Sequence, residues 1–527
     1  MKSHIIPRRA TNSFSEQQLL LTENQSALQD FINLPFSKEN FIEQIKIKSA
    51  FFTSEKRQLL TTELERKYNG IDANETSWNN IQLLKKEETF TITTGHQLSL
   101  MTGPLYFIYK ILHVIKQCKE LNEYYPNNHF VPVYWMASED HDFEEIKSFL
   151  LFGKTIAWES EQSGAVGRMN LFGMPQFFDS ISQFFANHPE SEIHNLISKL
   201  NGNTYGEAFF QFVHAIFGNL GLIILDGDNK AFKTSFKPVI QKELESSFSY
   251  KLVTETITKL QEKNFKIQVH PREINLFYLS HNKRERIILK DENFEIGSQS
   301  FTKEEILQLL EEETVSFSPN VVLRPLFQEY ILPNLCYVGG VGELSYWLEF
   351  KSTFEAAGVP FPMIQARTSI VWIDAQTNEK INSQALSTTD LFKSVNVLKQ
   401  NYLQNNAEEE IDFSLLNFQF EQLKTDLTQK TESIDASINS WMGAEFSRME
   451  KQFDGMKSRL EKSVKSKHEK GLKSLEQIKE KLFPNGGMQE RTLNFFQMCP
   501  DGNYTQKLVD LYEVIEPFND AVLVLTD

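Results

Sequence analysis

The chain has 527 residues, of which 40% are hydrophobic and 24% charged, and its formal net charge is −16 with a pI near 5.3. This length predicts two or three folding units, and the composition is typical of a soluble globular protein. Nucleic-acid binding needs a basic surface, which an acidic chain does not favour, so we expect no nucleic-acid partner.

The cysteines predict a reduced, cytoplasmic location. They are three in number and far apart, at Cys118, Cys336 and Cys499, so neither a disulfide framework nor a zinc knuckle is expected. The basic residues at the N-terminus precede no apolar stretch of the kind found in secretory signals. No run of about 18 uncharged apolar residues occurs, so we expect no membrane span.

Changes in pattern along the chain predict four parts. These are an N-terminal helical segment over 1–88, an α/β core over 89–390 with insertions at about 147–220 and 233–317, a helical domain over 391–483, and a C-terminal segment over 484–527 that returns to the core through a strand at Ala521–Leu525. Within the second insertion, 233–262 reads as one helix and 265–290 as short strands.

The stretch from Thr89 to Ile146 reads as one strand–helix–strand unit. Phe90–Thr94 alternates strand-forming residues, Leu105–Leu121 carries apolar residues at helical spacing, and Phe130–Met136 is a short apolar run. In such a crossover the two strands are parallel, so the polar residues that follow each strand lie at the same carboxyl edge of the sheet. Open α/β sheets bind their ligands at that edge.

A second strand, loop and helix follow later in the chain. The predicted strand Leu335–Val338 leads into a glycine-containing loop, Gly339–Glu343, and then into a helix with Tyr346 and Trp347. Another short strand is predicted at Gly221–Leu225. We expect the Gly339–Glu343 loop to open on the same edge as the first loop.

The helical domain carries apolar residues every three or four positions from Ile434 to Leu482. This spacing predicts one long helix with a coiled-coil seam. Such an apolar stripe needs a partner, either within the chain or on another copy, and we expect a homodimer.

The first loop supplies one group of candidate binding residues, namely Gly95, His96, Gln97, Thr102 and Gly103. A glycine-containing loop between a strand and a helix lets backbone N–H groups approach a phosphate or carboxylate. The loop has neither the Gly-Lys-Ser/Thr of a P-loop nor a Gly-x-Gly-x-x-Gly pattern. The alternative is a tight turn in which His96 is only hydrogen-bonded.

The segment Ser138–Asp142 places three carboxylates and an imidazole within five residues. Such a cluster can bind a metal or supply a general base, and Asp140 and His141 are the candidates for the base. The alternative is a helix start with Ser138 as the N-cap.

Arg324 and Arg367 are candidates for gripping a carboxylate, since a guanidinium suits bidentate binding. The alternative is a structural ion pair, for example with Glu329 or Glu343. The second loop adds further candidate binding residues, namely Gly339, Gly340, Gly342, Glu343 and Tyr346.

Four blocks of sequence together resemble one family. They are TGHQLSLMTGPLYFIYK, VPVYWMASEDHDFEEI, SPNVVLRPLFQEYILPN with GGVGELSYWLEFK, and LFPNGGMQER. In this order they resemble the cysteine-adding enzymes of bacillithiol biosynthesis, the cysteine ligase BshC family.

This resemblance implies a Rossmann-like, nucleotidyltransferase-type parallel-sheet core with connecting-peptide insertions, and a helical coiled-coil domain that forms a homodimer. It implies amide formation between cysteine and glucosaminyl malate, the last step of bacillithiol synthesis. His141, Asp140 or His96 would then act in catalysis, and the other candidate residues would bind substrate.

The cofactor is left open by the sequence. A nucleotide such as ATP would serve to activate the cysteine carboxylate, and no metal is confidently implied. Two other interpretations stay open: a nucleotidyltransferase-type enzyme acting on another small anionic substrate, and a non-catalytic dimeric binding protein.

Overall fold

The computed structural model describes residues 2–23, 25–280, 282–406 and 413–527. The chain divides into a larger unit, Met1–Val371 with Met488–Leu525, and a smaller unit, Trp372–Gly487 with Thr526–Asp527. Residues 407–412 of the predicted helical domain lie outside the described residues. The predicted boundaries at residues 88, 390 and 483 stay predictions.

Five parallel strands form the central sheet of the larger unit. Their order across the sheet is Met363–Ala366, Asn334–Gly339, Thr89–His96, His129–Met136 and Ile223–Asp226. The strands His129–Met136 and Ile223–Asp226 follow on one side of Thr89–His96, and the later strands Asn334–Gly339 and Met363–Ala366 lie on its other side. This is the Rossmann-like order. The direction changes between Thr89–His96 and Asn334–Gly339, and ligands bind at the carboxyl ends of the strands at such a point.

The predicted strand–helix–strand unit is confirmed. Thr89–His96 pairs with His129–Met136 in parallel along its whole length, and the helix Tyr106–Tyr124 connects the two strands. Thr89–Gly95 and Phe130–Met136 are buried throughout, as expected for parallel strands covered on both faces. Helix and sheet share one apolar core: Phe41, Phe90, Ile92, Val114, Cys118, Leu121, Phe130, Leu335, Cys336, Val338 and Met363.

The N-terminal segment is mainly helical, as predicted, with helices Glu16–Glu23, Phe41–Phe51, Ser54–Tyr68 and Glu75–Leu83. It begins, however, with a strand that the sequence analysis missed, Lys2–Pro7. This strand lies beside Ala521–Thr526, which in turn pairs with Ser369–Ile373 in a three-stranded sheet. The strand predicted at the C-terminus is observed as Ala521–Thr526.

The first insertion holds a hairpin and three helices: Ser148–Leu151, Lys154–Ala157, Met174–Phe184, Glu192–Ser198 and Tyr205–Phe217. In the second insertion the prediction of one helix over 233–262 is wrong. Ser247 adopts φ = 49°, which ends the helix Lys230–Ser246 and starts the helix Phe248–Glu262.

An antiparallel sheet completes the second insertion. Its strand order is Gln299–Phe301, Asn293–Ile296, Lys283–Lys290, Leu276–Ser280 and Phe317–Pro319. The remaining helices of the larger unit are Phe143–Ile146, Lys303–Glu312, Leu323–Ile331, Val341–Trp347, Lys351–Ala357 and Thr505–Val514.

The smaller unit is helical, with helices Ala375–Ser383, Val395–Asn406, Ser414–Ile434, Asn439–Lys467 and Glu469–Leu482. The prediction of one long helix is wrong, because the chain turns at 435–438 and breaks again at His468. Phe420 stacks on Phe453 with ring centroids 5.1 Å apart, and Lys457 donates to Asn417 at 2.9 Å. Ser414–Ile434 and Asn439–Lys467 therefore pair as an antiparallel helical hairpin.

No helix in the described parts of the chain is long and apolar enough to cross a membrane.

Candidate active site

A cavity of about 910 Å³ opens at the carboxyl ends of the central strands. The predicted loops meet in it, as the parallel topology requires. The predicted site residues that line it are Gly95, His96, Gln97, Ser138, Asp140, His141, Arg324, Gly340, Gly342, Glu343, Tyr346 and Arg367. Their chemical roles stay predictions.

One wall of the cavity comes from the antiparallel sheet and was not predicted. Arg284 and Arg286 lie two positions apart on the strand Lys283–Lys290, which places them on the same face. Arg272 and Arg491 also line the cavity. The spacing of Arg284 and Arg286 in the sequence indicates that both lie on the same face of a strand. The sequence does not show which face of that strand points toward the central sheet.

Lys110 is a second residue that the sequence analysis missed. It extends from the first turns of the helix Tyr106–Tyr124, and its Nζ donates to the Gly95 carbonyl at 3.0 Å and to the Glu343 carboxylate at 2.6 Å. Glu343 also accepts from the Tyr337 hydroxyl and from the Gly340 backbone N–H. Burial would raise the pKa of Glu343, but the charge and hydrogen bond of Lys110 outweigh it and lower that pKa. Lys110 thus connects the two glycine-containing loops.

The Gly340 backbone N–H already donates to Glu343, at 3.3 Å. This leaves that amide committed within the loop. The prediction that the second loop holds an anion through its backbone has no support from this contact.

Arg324 lies half-buried beside the first loop. Its Nη1 donates to Gln328 at 3.0 Å, and a Cβ added to Gly95 would lie 3.5 Å from this nitrogen. The two carboxylates considered as partners of Arg324 form ion pairs with lysines instead: Glu329 pairs with Lys48, and Glu343 pairs with Lys110. Among the described residues the Arg324 guanidinium has no carboxylate within ion-pair distance, so its charge can serve an anionic ligand.

Arg367 is different, because its charge is already matched. Its two terminal nitrogens donate to the two carboxylate oxygens of Glu490 at 2.9 and 2.8 Å, and both side chains are buried. This is the bidentate geometry of a strong pair. The structural alternative therefore describes Arg367 better than substrate binding, and Glu490 is the partner that the sequence analysis did not identify.

Three predicted binding residues lie outside the cavity lining. Thr102 is fully buried, and the side chain of Asn494 donates to the Gly103 carbonyl at 2.7 Å. Gly339 is also buried, and its carbonyl accepts from the Arg367 backbone N–H. Their positions indicate a structural role in shaping the two loops and give no support to substrate contact.

The interpretation of Ser138 as a helix N-cap is wrong. Asp142 caps the short helix Phe143–Ile146 by accepting from the Glu145 N–H at 3.2 Å. The Ser138 hydroxyl instead donates to the Asp226 carboxylate, where burial raises the pKa of Asp226.

Two carboxylates form an acidic corner in the cavity. The side-chain amide of Gln97 donates to Asp140 and to Glu145, both at 2.9 Å. Asp140 also accepts from the His141 backbone N–H at 2.7 Å. Among the described residues, no three His, Cys, Asp or Glu side chains are grouped so as to hold a metal ion.

The two histidines of the cavity have different partners. His96 is half-buried, and its Nδ1 lies 2.9 Å from the Gln97 carbonyl oxygen. His141 is more exposed, and its Nδ1 lies 3.1 Å from Nη1 of Arg284. The cavity thus combines an acidic corner, an arginine wall and two histidines, which suits a small ligand that carries both an ammonium and carboxylates.

Comparison with known proteins identifies the family. Residues 1–368 match the sequence profile "Bacillithiol biosynthesis BshC, N-terminal Rossmann-like domain", and residues 370–526 match "Bacillithiol biosynthesis BshC, C-terminal coiled-coil domain".

Curated relatives carry the name "Putative cysteine ligase BshC". One from Flavobacterium psychrophilum is 39% identical over 507 residues, which is 94% of each chain. One from Christiangramia forsetii is 38% identical across 100% of this chain and 99% of its own. One from Bacillus cereus is 29% identical over 80% of this chain and 82% of its own. The chain therefore belongs to the BshC family of bacillithiol biosynthesis, whose curated members are named as cysteine ligases.

Proposed function

We propose that this protein is a ligase that forms the amide bond between cysteine and glucosaminyl malate in the last step of bacillithiol biosynthesis. Its family membership and the names of its relatives support the ligase class and the pathway. The pairing of these two substrates was implied by the resemblance of the sequence blocks, and it stands as a proposal that the chemistry of the cavity supports.

The observation that carries the proposal is the division of charge inside the cavity. Cysteine brings one ammonium and one carboxylate, and glucosaminyl malate brings an amine and two carboxylates. Asp140 and Glu145 suit the cationic groups, whereas Arg324 and Arg284 suit the carboxylates. A volume of about 910 Å³ is at the upper end of the range for small-molecule sites, which leaves room for both substrates.

Amide formation makes two chemical demands. The sugar amine must lose its ammonium proton before it can attack, and Asp140 is proposed to receive that proton because it lies in the acidic corner. The cysteine carboxylate must be activated, because a carboxylate oxygen is a poor leaving group. A phosphate-bearing nucleotide such as ATP is proposed as the activating co-substrate, and Arg272, Arg286 and Arg491 would suit its phosphates.

We further propose a homodimer formed through the smaller unit. Apolar side chains on its helical hairpin remain exposed in the single chain: Leu415, Phe418, Ile434, Trp441, Met456 and Leu460. Exposed apolar side chains on a helical hairpin would be covered if two copies paired through it.

A deletion strain tests the proposed reaction. Loss of the gene is expected to abolish bacillithiol and to accumulate glucosaminyl malate, and expression of the wild-type chain to reverse both. Asp140→Asn is expected to restore bacillithiol poorly, whereas Lys46→Met, which changes an exposed side chain of the helix Phe41–Phe51, serves as the matched control. Normal bacillithiol in the deletion strain would favour a ligase for another substrate or a binding protein.

A further inference from the structure

The hydrogen bond of His96 determines which of its ring nitrogens carries the proton. The Gln97 carbonyl oxygen can only accept, so Nδ1, which lies 2.9 Å away, must be the donor. Burial and the nearby charge of Lys110 lower the pKa of His96 to about 4, so the ring is neutral near pH 7. A neutral ring with its proton on Nδ1 leaves a lone pair on Nε2. His96 therefore offers the cavity a hydrogen-bond acceptor.

The hydrogen bond of His141 has the opposite consequence. A guanidinium can only donate, so Nδ1 of His141, 3.1 Å from Arg284, must be the acceptor. Burial, followed by the charge of Arg284, lowers the pKa of His141 and favours the neutral ring. Its proton then lies on Nε2. His141 therefore offers the cavity a hydrogen-bond donor.

Arg284 is held firmly enough to impose this state. Its guanidinium donates to the Ser318 hydroxyl at 3.2 Å and to the Pro319 carbonyl at 3.0 Å, and it lies 4.1 Å from the centre of the Phe277 ring. The ring of His141 packs against the same phenylalanine, with centroids 5.4 Å apart. Asp140 lies 3.7 Å from Nδ1 of His141, too far for a hydrogen bond that would compete with Arg284.

We propose that the two histidines orient glucosaminyl malate through opposite hydrogen-bond polarity. His96 Nε2 accepts from an N–H or O–H group of the sugar, and His141 Nε2–H donates to a carboxylate of the malate part. This inference rests on the proposed function. It also changes the role predicted for His141, because the basic nitrogen of that ring is covered by Arg284. His141 is then a binding residue that recognises an anion, and not the general base.

The tautomers are measurable without substrate. Full-length protein labelled with ¹⁵N-histidine has 11 histidines, and His96→Gln and His141→Gln assign the two signals. The expected spectrum near pH 7 shows a protonated Nδ1 in His96 and a protonated Nε2 in His141. Arg284→Met is expected to release the tautomer of His141, whereas Lys283→Met, at an exposed position of the same strand, leaves it unchanged. The same tautomer in both rings, or a doubly protonated His141, would overturn the inference.

Two probes then test the orientation. Malate is expected to shift the His141 Nε2–H signal, and glucosamine to shift the His96 Nε2 signal. Malate acting on His96 alone, or no response of either ring to either probe, would overturn the proposed orientation. If both probes act as expected but the deletion strain keeps its bacillithiol, then the proposed function fails and the polarity of the two histidines stands.

Comparing conservative with apolar substitutions of the two histidines separates a hydrogen-bonding role from a purely structural one. Losing a hydrogen bond to a charged group corresponds to a change in Kd of about 10- to 100-fold. His141→Ala is expected to weaken malate binding by about 10-fold or more, while His141→Gln, which keeps a donor, loses less. His96→Gln keeps an acceptor and is expected to bind glucosamine better than His96→Leu. Equal losses in the conservative and the apolar variants would contradict the assigned polarity.

Discussion

Lys110 Nζ lies 2.6 Å from a carboxylate oxygen of Glu343 and also donates to the Gly95 carbonyl. One buried lysine thereby joins the carboxyl end of the strand Thr89–His96 to the segment that follows the strand Asn334–Gly339. These are the two strands between which the sheet order reverses. The contact fixes the floor of the cavity at the place where the fold binds ligands.

Removing Lys110 is expected to destabilise the protein strongly. Lys110→Met leaves the mostly buried Glu343 carboxylate without the cation that it contacts, which costs roughly 3 kcal/mol. Denaturant unfolding measures this loss. The double variant Lys110→Met/Glu343→Gln is expected to recover part of it, because the carboxylate that Lys110 contacted is then neutral as well. Lys46→Met breaks an exposed pair with Glu43 and is expected to cost less than about 1 kcal/mol. Equal losses for Lys46→Met and Lys110→Met would contradict this reading.

Substitutions of Arg324 and of Arg367 are expected to have different effects. Arg367→Met leaves buried Glu490 unpaired and is expected to lower the free energy of unfolding by roughly 3–5 kcal/mol. Arg324→Met leaves no carboxylate unpaired and is expected to weaken malate binding with a much smaller change in stability. Calorimetric binding and denaturant unfolding on both variants separate the two roles. An Arg324→Met protein that binds malate like the wild type would exclude Arg324 as a carboxylate ligand.

The buried carboxyl group of Glu349 is expected to make the stability of the protein depend on pH. Its carboxylate accepts from the backbone N–H groups of Gln268 and Val269, which line the cavity. Burial raises the pKa of Glu349 to about 7. The folded state then holds this proton to a higher pH than the unfolded state, whose pKa is near 4.5. Stability from this group is therefore lost as pH rises from about 4.5 to about 7.

This loss amounts to roughly 3 kcal/mol for a shift of this size. Glu349→Gln cannot ionise and is expected to flatten the decline between pH 5 and pH 7. Denaturant unfolding across that range measures it. An unchanged slope in the variant would mean that Glu349 does not titrate there.

The exposed hairpin of the smaller unit predicts a dimer. Light scattering of the full-length chain is expected to give about twice the 61.1 kDa of one chain. Met456 and Leu460 are 58% and 56% exposed on one helix face, so Met456→Glu/Leu460→Glu is expected to give a monomer. Ser458→Glu, exposed on the opposite face of that helix, is the matched control. A wild-type monomer at micromolar concentration would contradict the dimer.

The core of the fold could be predicted from the sequence because the patterns that define it are local. The apolar run Phe130–Met136 and the helical spacing of Leu105–Leu121 define a crossover, and its handedness and parallel strands bring the loops together. The single-helix prediction for 233–262 failed because Ser247 adopts a positive φ that its side chain does not signal. The prediction of one long coiled-coil helix failed because the apolar spacing in the sequence continues through the turn at 435–438.

The site was only partly predictable because its contacts join distant parts of the chain. Glu490 neutralises Arg367 from 123 positions away, and no spacing rule gives that pairing. Arg284 reaches His141 from a separate sheet. The residue types of the acidic and glycine-containing loops were visible in the sequence, but the distant arginine that contacts His141 was not.

Labelled cysteine can be followed into bacillithiol to test whether this protein forms the amide bond. A lysate of the deletion strain supplies the unidentified activating co-substrate, and it is given glucosaminyl malate, isotopically labelled cysteine and the purified protein. Labelled bacillithiol is expected to form only when the protein is added, and much less of it is expected with Asp140→Asn. Unconsumed glucosaminyl malate and no labelled bacillithiol, with a folded wild-type protein present, would contradict it.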